Sequence, residues 1–443
     1  MLFAGFVVLS ACRYSPNGAK SNGSANSIKD VCTSYYNPNT ELPDLYDVTS
    51  GVSVNLNAIS EKALDRGKSG KQGFFNNTEI SGMKHFNQTI FLILLFTAGA
   101  LFCDAADKNK TPKYAKINIA DLVLIYQGGT HRNFDWNKDQ FKPYVVHQNQ
   151  QGKKDWLFDG FLFLEFKDGK GRCYAPGYEK DAARRQEWEW LMDRQFEKNK
   201  VFSALDQCID QQIKEMGNPP FRHKLVVGIP APIKGQKNWG SINHLMDFSK
   251  PEDCIEACKW YIDRFLDRYQ KDGYQHLDLE GFYWVPESDS PYADILIPVG
   301  DYIRSKNLKL FWIPYWRAIG FDNWKTDKFD FAYIQPNHFF NKTISYERLD
   351  AVCAYAKGTN MGLEMEFDES ALADAKNSKR DRLISYISAF EDHDVFKNAS
   401  IAYYQGGTAI YQLSRSRNPL DKELLDRLAK IIIQRKKMKL PKK

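Results

Sequence analysis

From Asp121 onward, short apolar segments alternate with longer segments of helical periodicity, and this alternation limits the available folds more than any other feature. Repeated strand–helix units are typical of parallel α/β sheets. The eight predicted strands are Asp121–Gln127, Trp156–Phe166, Lys224–Pro230, His276–Trp284, Leu308–Trp316, Phe329–Asn337, Gly362–Asp368 and Ser400–Gln405. The clearest predicted helices are Glu187–Lys198, Ala204–Met216, Pro251–Gln270, Tyr292–Ser305, Tyr346–Lys357 and Lys379–Asp392, and a last helix, Asp421–Gln434, follows the eighth strand.

Eight such units predict an α/β fold, a (β/α)8 TIM barrel that forms a single domain over residues 118–437 after an N-terminal signal region. An open doubly wound sheet is the alternative, and it usually carries a glycine-rich phosphate-binding turn. Neither GxGxxG nor GxxxxGK[ST] occurs in the sequence. We therefore favour the barrel and expect no cofactor.

A second translation start is predicted at Met83. Lys84 follows it closely, and then come an apolar run from Thr89 to Phe102 and small residues up to Ala105. A basic start, an apolar run of about a dozen residues and a small residue at the cleavage point are typical of a secretory signal peptide. We expect residues 83–105 to be a signal peptide, and the mature protein to be exported to the periplasm, the outer-membrane surface or the medium.

Residues 1–82 are rich in Ser, Asn and Gly and show little hydrophobic periodicity. We interpret them as a disordered or wrongly included extension upstream of the true start codon. A lipoprotein signal is the alternative, because Leu9-Ser10-Ala11-Cys12 fits a lipid-attachment pattern, although no Lys or Arg precedes its apolar run. A lipid anchor would be the only expected link to a membrane, and both interpretations place the domain outside the cytoplasm.

The net charge of +6 lies in the C-terminal tail, where the segment from Arg435 to Lys443 contains six basic residues. The rest of the chain is close to neutral, so we interpret the tail as a frayed basic end and expect no nucleic-acid partner. Five of the eight cysteines fall in the predicted barrel, and an odd number without a repeating spacing argues against a disulfide framework. Cys254 and Cys258 lie at i, i+4 without a second pair at zinc-like spacing, so we predict buried thiols and no metal.

Alternation along two strands places several acids inside the barrel. On the fourth strand Asp278 and Glu280 share a face with residues 282 and 284, and on the seventh Glu364, Glu366 and Asp368 share a face. The opposite faces are apolar and must contact the helices, so these carboxylates are predicted to point inward. Asp278 and Glu364 lie one pleat deeper than Glu280 and Glu366, and we expect them to be structural.

Glu280 and Glu366 are the predicted catalytic pair, because active sites of this fold lie at the carboxyl ends of the strands. We expect the fourth and seventh strands to lie across the barrel from one another, so that the two carboxylates face each other. Glycosidic cleavage uses one carboxyl that protonates the leaving oxygen and one that attacks the sugar or activates water. We assign Glu280 as general acid and Glu366 as nucleophile or base, a role that Asp368 or Glu369 could also fill.

Other side chains near strand ends fit a glycan substrate bound by a monomer. Aromatic rings pack on the apolar faces of pyranose rings, and amide and carboxylate groups hydrogen-bond to hydroxyl groups. The predicted substrate-binding residues are Trp284, Trp316, Tyr315, Gln335, Asn337, Gln405, Glu165 and Asp368.

Four segments resemble the bacterial family known as domain of unknown function 4855, which is common in Bacteroides-type bacteria. They are Leu122–Gly129, Trp156–Glu165, Leu277–Trp284 and Gly362–Asp368, and the resemblance extends over residues 119–429. It implies a secreted barrel similar to glycoside hydrolases, but it implies no particular substrate.

Three functions are compatible with these residues. The first is a secreted glycoside hydrolase. The second is a non-catalytic glycan-binding barrel, which would keep the aromatic residues without needing two acids at hydrolytic separation. The third is a metal-dependent hydrolase such as a deacetylase, which would need a His-rich site, and few of the eight His residues fall at strand ends.

Overall fold

The structure is a computed structural model, and it describes residues 118–439. The predicted N-terminal extension (1–82) and signal peptide (83–105) lie outside the described residues. Within residues 118–439, no helix is both long enough and apolar enough to span a bilayer.

Eight parallel strands close into a barrel in which strands that are consecutive in the chain are neighbours, and β8 pairs with β1. The predicted (β/α)8 TIM barrel is confirmed. The strands are β1 Asp121–Tyr126, β2 Gly160–Leu164, β3 His223–Ile229, β4 Leu277–Trp284, β5 Lys309–Trp312, β6 Phe331–Ile334, β7 Gly362–Phe367 and β8 Ile401–Gln405.

Helices surround this barrel. They are α1 Lys138–Val145, α2 Arg185–Gln195, α3 Val201–Met216, α4 Pro251–Asp272, α5 Ala293–Ser305, α6 Glu347–Thr359, α7 Arg380–Asp392, α8 Val395–Asn398, α9 Ala409–Arg415 and α10 Pro419–Lys439. The connection from β5 to β6 departs from the regular pattern, because it is built from turns and the described residues contain no helix there. Helix α4 begins with Pro251 and ends at Gly273, whose φ of 60° suits a glycine C-cap.

Two apolar layers hold the barrel together. The larger layer lies between the strands and the helices, and it includes alternate strand residues such as Val123 and Leu363. The smaller layer fills the barrel interior with side chains of the opposite alternation, including Leu162, Val226 and Phe311. All five cysteines of the described region are buried and free, as predicted for structural thiols.

A β-bulge interrupts β4. The register between β4 and β3 shifts between Leu279 and Gly281, so Glu280 is the additional residue. Gly281 fits here because a Cβ atom would overlap the carbonyl oxygen of Lys309 in β5. An additional residue in one strand reverses the alternation of the side chains beyond it.

The bulge changes which β4 side chains face the barrel interior. Phe282 and Trp284 pack in the outer layer, whereas Tyr283 joins the interior layer. The prediction that residues 278, 280, 282 and 284 share one face is therefore wrong beyond Glu280.

Charged side chains close the end of the barrel at which the strands begin. Arg222 and Lys224 donate hydrogen bonds to Asp278 at 2.8 and 3.0 Å. Glu280 pairs with Lys309 and lies 3.7 Å from Lys224. Because Lys309 is the first residue of β5 and Lys224 the second of β3, this network belongs to the amino end.

The end of α10 forms a second network at the amino end. Arg435 donates to Asp121 Oδ1 at 2.7 Å, and Lys436 donates to Asp121 Oδ2 at 2.6 Å and to Asp159 Oδ1 at 3.2 Å. All four side chains are buried. The prediction of a frayed basic tail is therefore wrong for Arg435 and Lys436, while residues 440–443 lie outside the described part of the chain.

Candidate active site at the carboxyl end of the barrel

Glu366 lies near the carboxyl end of β7, inside the barrel, and it is only 1% exposed. Its Oε2 accepts a hydrogen bond from the Tyr386 hydroxyl of α7 and another from the backbone N–H of Asn337 at 2.6 Å. Asn337 adopts a left-handed conformation with φ of 54°, which Asn tolerates better than most residues. The turn after β6 therefore directs its N–H onto the carboxyl group.

Glu287 is a second carboxylate at this end, three residues beyond the end of β4. Gln335 donates from Nε2 to Glu287 Oε1 at 3.0 Å and to the carbonyl oxygen of Ile313 at 2.8 Å. Gln335 and Asn337, two residues apart after β6, thus bond to the carboxyl groups of Glu287 and Glu366. The sequence prediction missed Glu287, because strand alternation carries no information beyond the strand end.

The ionisation of Glu366 is shifted. Burial raises the pKa of Glu366 to about 7, the hydrogen bonds from Tyr386 and Asn337 oppose this rise, and the negative charge of Glu287 adds to it. Glu287 is thus one of the charges that act on Glu366. A carboxyl group with a pKa near 7 can donate or accept a proton at neutral pH.

Glu364 lies one pleat deeper on β7 and is fully buried. Burial, together with the charges of Glu366 and Glu287, raises the pKa of Glu364 well above its usual value. Its Oε1 has no hydrogen-bond partner among the described residues. Glu364 therefore favours its uncharged form in the interior, below the two carboxyl groups of the mouth (the carboxyl end of the barrel).

The placement predicted for Glu280 is wrong. Glu280 lies among the lysines of the amino end, whereas Glu366 lies at the mouth. Strands β4 and β7 are also not opposite one another, because only β5 and β6 separate them in the barrel. The acid that β4 brings to the mouth is Glu287.

Comparison with protein families identifies the chain. The sequence model of DUF4855, a domain of unknown function, matches residues 121–430. The chain belongs to the DUF4855 family. This confirms the resemblance seen in the sequence, and no curated protein sequence is significantly similar to the chain.

Three solved structures with a similar fold show how distant such similarities to this DUF4855 domain can be. A candidate alpha-L-fucosidase from Bacteroides thetaiotaomicron shows 14% identity and a TM-score of 0.39, covering 74% of this chain and 98% of its own. The tamarind chitinase-like lectin shows 10% identity and a TM-score of 0.34, covering 70% of this chain and 98% of its own. A mutant tryptophan synthase alpha-subunit from Pyrococcus furiosus shows 9% identity and a TM-score of 0.34, covering 71% of this chain and 98% of its own. Sequence identities and TM-scores this low give no basis for assigning an activity to the DUF4855 domain.

Four of the predicted substrate-binding residues follow strands at the mouth of the DUF4855 domain. Gln335 and Asn337 hold the two carboxyl groups, and Tyr315 forms a β-bridge with Gln335. Glu165 directly follows β2 and accepts bonds from Arg132 Nε and Nη2 at 2.8 and 2.7 Å. Sequence periodicity therefore located much of the mouth.

The other four predicted residues have structural contacts instead. Trp284 is buried in the outer layer against Tyr292, as the bulge requires. Gln405 is fully buried, and it bonds to the Tyr144 hydroxyl and to backbone groups. The Trp316 ring packs against Phe321 and the α6 residue Tyr355. Asp368 caps the short 3-10 helix Glu369–Ala371 by accepting a bond from the N–H of Ser370.

The described part of the DUF4855 domain contains no group of three or more His, Cys, Asp or Glu side chains arranged to hold a metal ion. His131 lies 4.0 Å from Glu165, and burial lowers its pKa. His338 is buried in the β6–α6 loop next to Arg382, and burial lowers its pKa to about 4. Both imidazoles are therefore uncharged at neutral pH.

Proposed function

We propose that this protein is a glycoside hydrolase that cleaves a glycosidic bond with Glu366 and Glu287. The observation that carries this proposal is that two carboxyl groups at the mouth, those of Glu287 and Glu366, accept hydrogen bonds from Gln335 and Asn337 of one turn after β6. Two carboxyl groups with different environments are the requirement of acid-catalysed glycoside cleavage.

Glu366 supplies the proton in this proposal. Tyr386 and Asn337 both donate to Oε2, so the acidic hydrogen belongs on Oε1. This hydrogen moves to the glycosidic oxygen as the bond from that oxygen to the anomeric carbon breaks. Glu287, acting as a carboxylate, either attacks the anomeric carbon or removes a proton from the attacking water.

The proposal is tested with the full chain and a panel of plant, microbial and host glycans, in which release of new reducing ends is measured. Glu366→Gln should lower kcat by roughly 10²–10⁴-fold, the usual contribution of proton transfer. An aryl glycoside with a good leaving group should restore much of this loss, because its departure needs little protonation. Glu287→Gln should remain inactive with the same substrate.

Glu280→Gln is the matched control, because it is the same isosteric change on an inward glutamate at the opposite end of the barrel. Wild-type turnover of a confirmed substrate by both mouth variants would exclude the assignment. Glycan binding without any hydrolysis would favour the non-catalytic glycan-binding barrel.

Export is part of the proposal and is supported by the sequence alone. The Lys84 start, the apolar run and the small residues up to Ala105 support a mature protein that begins near Ala106. N-terminal sequencing of the protein from its native host tests this, and an intact Met1 in a cytoplasmic fraction would exclude it.

A further inference from the structure

An arc of aromatic side chains lines the side of the mouth formed by β8, β1 and β2. Tyr126 of β1 lies 5.7 Å from Phe166, which follows β2, and 5.8 Å from Tyr404 of β8, measured between ring centroids. Loop residues extend the arc at both ends: Tyr178 stacks on Phe166 at 4.2 Å, and Phe340 meets Tyr404 edge to face at 5.5 Å. We call these five residues the aromatic arc.

The aromatic arc lies next to the carboxyl groups of Glu366 and Glu287. Burial raises the pKa of the Tyr126 hydroxyl, and the charge of Glu287 contributes to this rise. Tyr404 occupies the β8 position that pairs with Glu366 of β7. Tyr404 and Tyr178 are half-buried rather than enclosed, so both residues remain partly accessible.

Among the described residues, three cations lie next to members of the arc, either in space or in the chain, and each is already engaged. Arg132 lies 4.5 Å from the Tyr126 ring centroid and makes two hydrogen bonds to Glu165. Lys167 pairs with Glu179 at 3.1 Å. Lys379 donates to the carbonyl oxygen of Phe340 at 2.9 Å. A paired cation attracts a ligand carboxylate or sulfate far less than an unpaired one does.

We propose that the aromatic arc binds an uncharged pyranose ring, and that the substrate is a neutral glycan rather than a uronic acid, sialylated or sulfated one. This inference rests on the proposed function. Aromatic faces match the C–H faces of a pyranose ring, and the negative charge of Glu287 at the mouth would repel an anionic sugar.

Binding tests the inference separately from catalysis. The full-length Glu366→Gln protein is titrated calorimetrically with matched pairs of oligosaccharides that differ only in a C6 hydroxymethyl or carboxylate group. We expect the neutral member of the preferred pair to bind at least tenfold more tightly. Tighter binding of the acidic member would overturn the inference, even if Glu366 and Glu287 prove to be catalytic.

Removal of one ring tests the arc itself. Tyr404→Ala in the otherwise wild-type chain should raise KM about tenfold, the loss expected for one ring-face contact, with little change in kcat. Tyr404→Leu keeps apolar volume without an aromatic face, and it serves if the alanine variant does not fold. Tyr302→Ala, at a half-buried tyrosine on the outside of α5, is the matched control. An unchanged KM in both Tyr404 variants would overturn the role of the arc.

A gain of binding provides the complementary test. Glu165→Gln removes the charge that neutralises Arg132, so it should improve binding of the uronic acid members by several-fold. If the protein binds neutral glycans through the arc without cleaving them, the inference holds and the proposed hydrolysis fails. If it cleaves uronic acid glycans, the hydrolysis holds and the inference fails.

Discussion

The hydroxyl group of Tyr386 donates a hydrogen bond to Oε2 of Glu366, and this bond connects helix α7 to the carboxyl end of β7. The bond stabilises the ionised form of Glu366 and so lowers its pKa, against the larger effect of burial. Arg382, one turn earlier on α7, donates to the carbonyl oxygens of Asn341 and Ile344. One face of α7 thus positions both the acid and the loop whose Asn337 N–H contacts it.

Tyr386→Phe should move the alkaline limb of the pH–rate profile to higher pH. The proton donor must be protonated, so kcat/KM should fall as pH rises through about 7 in the wild type. Without the Tyr386 bond the pKa of Glu366 rises, and the fall should occur roughly half to one pH unit higher. Tyr346→Phe, which removes a hydroxyl bonded to Asp392 at the surface, is the control. A limb at the same pH in Tyr386→Phe would contradict the proton-donor role of Glu366.

Glu280→Gln should keep its turnover and lose stability. Glu280 is nearly buried between Lys224 and Lys309, and removal of its charge leaves two ammonium groups without their shared partner. The free energy of unfolding should fall by about 2–4 kcal/mol, as for other broken buried pairs. Urea denaturation measures this loss, and kcat on the best substrate should stay within about twofold of wild type, as is usual away from the chemistry. A loss of turnover without a loss of stability would restore Glu280 as a catalytic candidate.

Arg435→Met should destabilise the protein strongly. Burial opposes ionisation of Asp121, but Arg435 and Lys436 outweigh it and lower the pKa of this carboxyl group. Arg435 also donates to the carbonyl oxygens of Ala120 and Ala399. Its loss should cost about 3–5 kcal/mol in unfolding free energy. Lys437→Met, at the adjacent exposed position, should have little effect, and equal thermal stability of the two variants would contradict the structural role of Arg435.

Asp327→Asn should stabilise the protein at neutral pH. Burial and the charge of Asp289 raise the pKa of Asp327 to about 6, and its Oδ2 has no hydrogen-bond partner among the described residues. The folded state therefore binds this proton more tightly than the unfolded chain, and stability falls as pH rises from about 4 to about 6. The variant should gain on the order of 1–3 kcal/mol at pH 7 and nothing near pH 3.5. Asp322→Asn, exposed in the same loop, is the control, and a gain that does not depend on pH would refute this explanation.

Strand periodicity in the sequence predicted the barrel well. Strand segments with a side-chain period of two, alternating with helical segments, predicted the order of strands and helices. The predicted boundaries of β7 and β8 lie within one residue of those observed. The same alternation placed Glu366 inside the barrel correctly. These features depend on local patterns, which a single sequence contains.

The rest of the site depends on features without a local pattern. At the bulge, Gly281 lies close to the backbone of β5, and the sequence of β4 alone reveals neither the bulge nor this close approach. Tyr126 and Phe166 lie in almost continuous apolar runs, so alternation could not assign their faces. Arg435 lies more than 300 positions from Asp121 in the chain, and only the closed barrel brings the two together.

The inward side chains of β4 are acidic at the amino end, where Asp278 and Glu280 lie, and aromatic beyond the additional residue, where Tyr283 lies. Deleting Glu280 would leave β4 with regular alternation, because Leu279 and Gly281 already pair with consecutive residues of β3. Phe282, Tyr283 and Trp284 would keep their present faces, and only the contacts of Glu280 with Lys224 and Lys309 at the amino end would be lost. Homologous chains that lack this residue could therefore keep an acid at the position of Glu287, so the length of β4 should vary independently of the acids at the mouth.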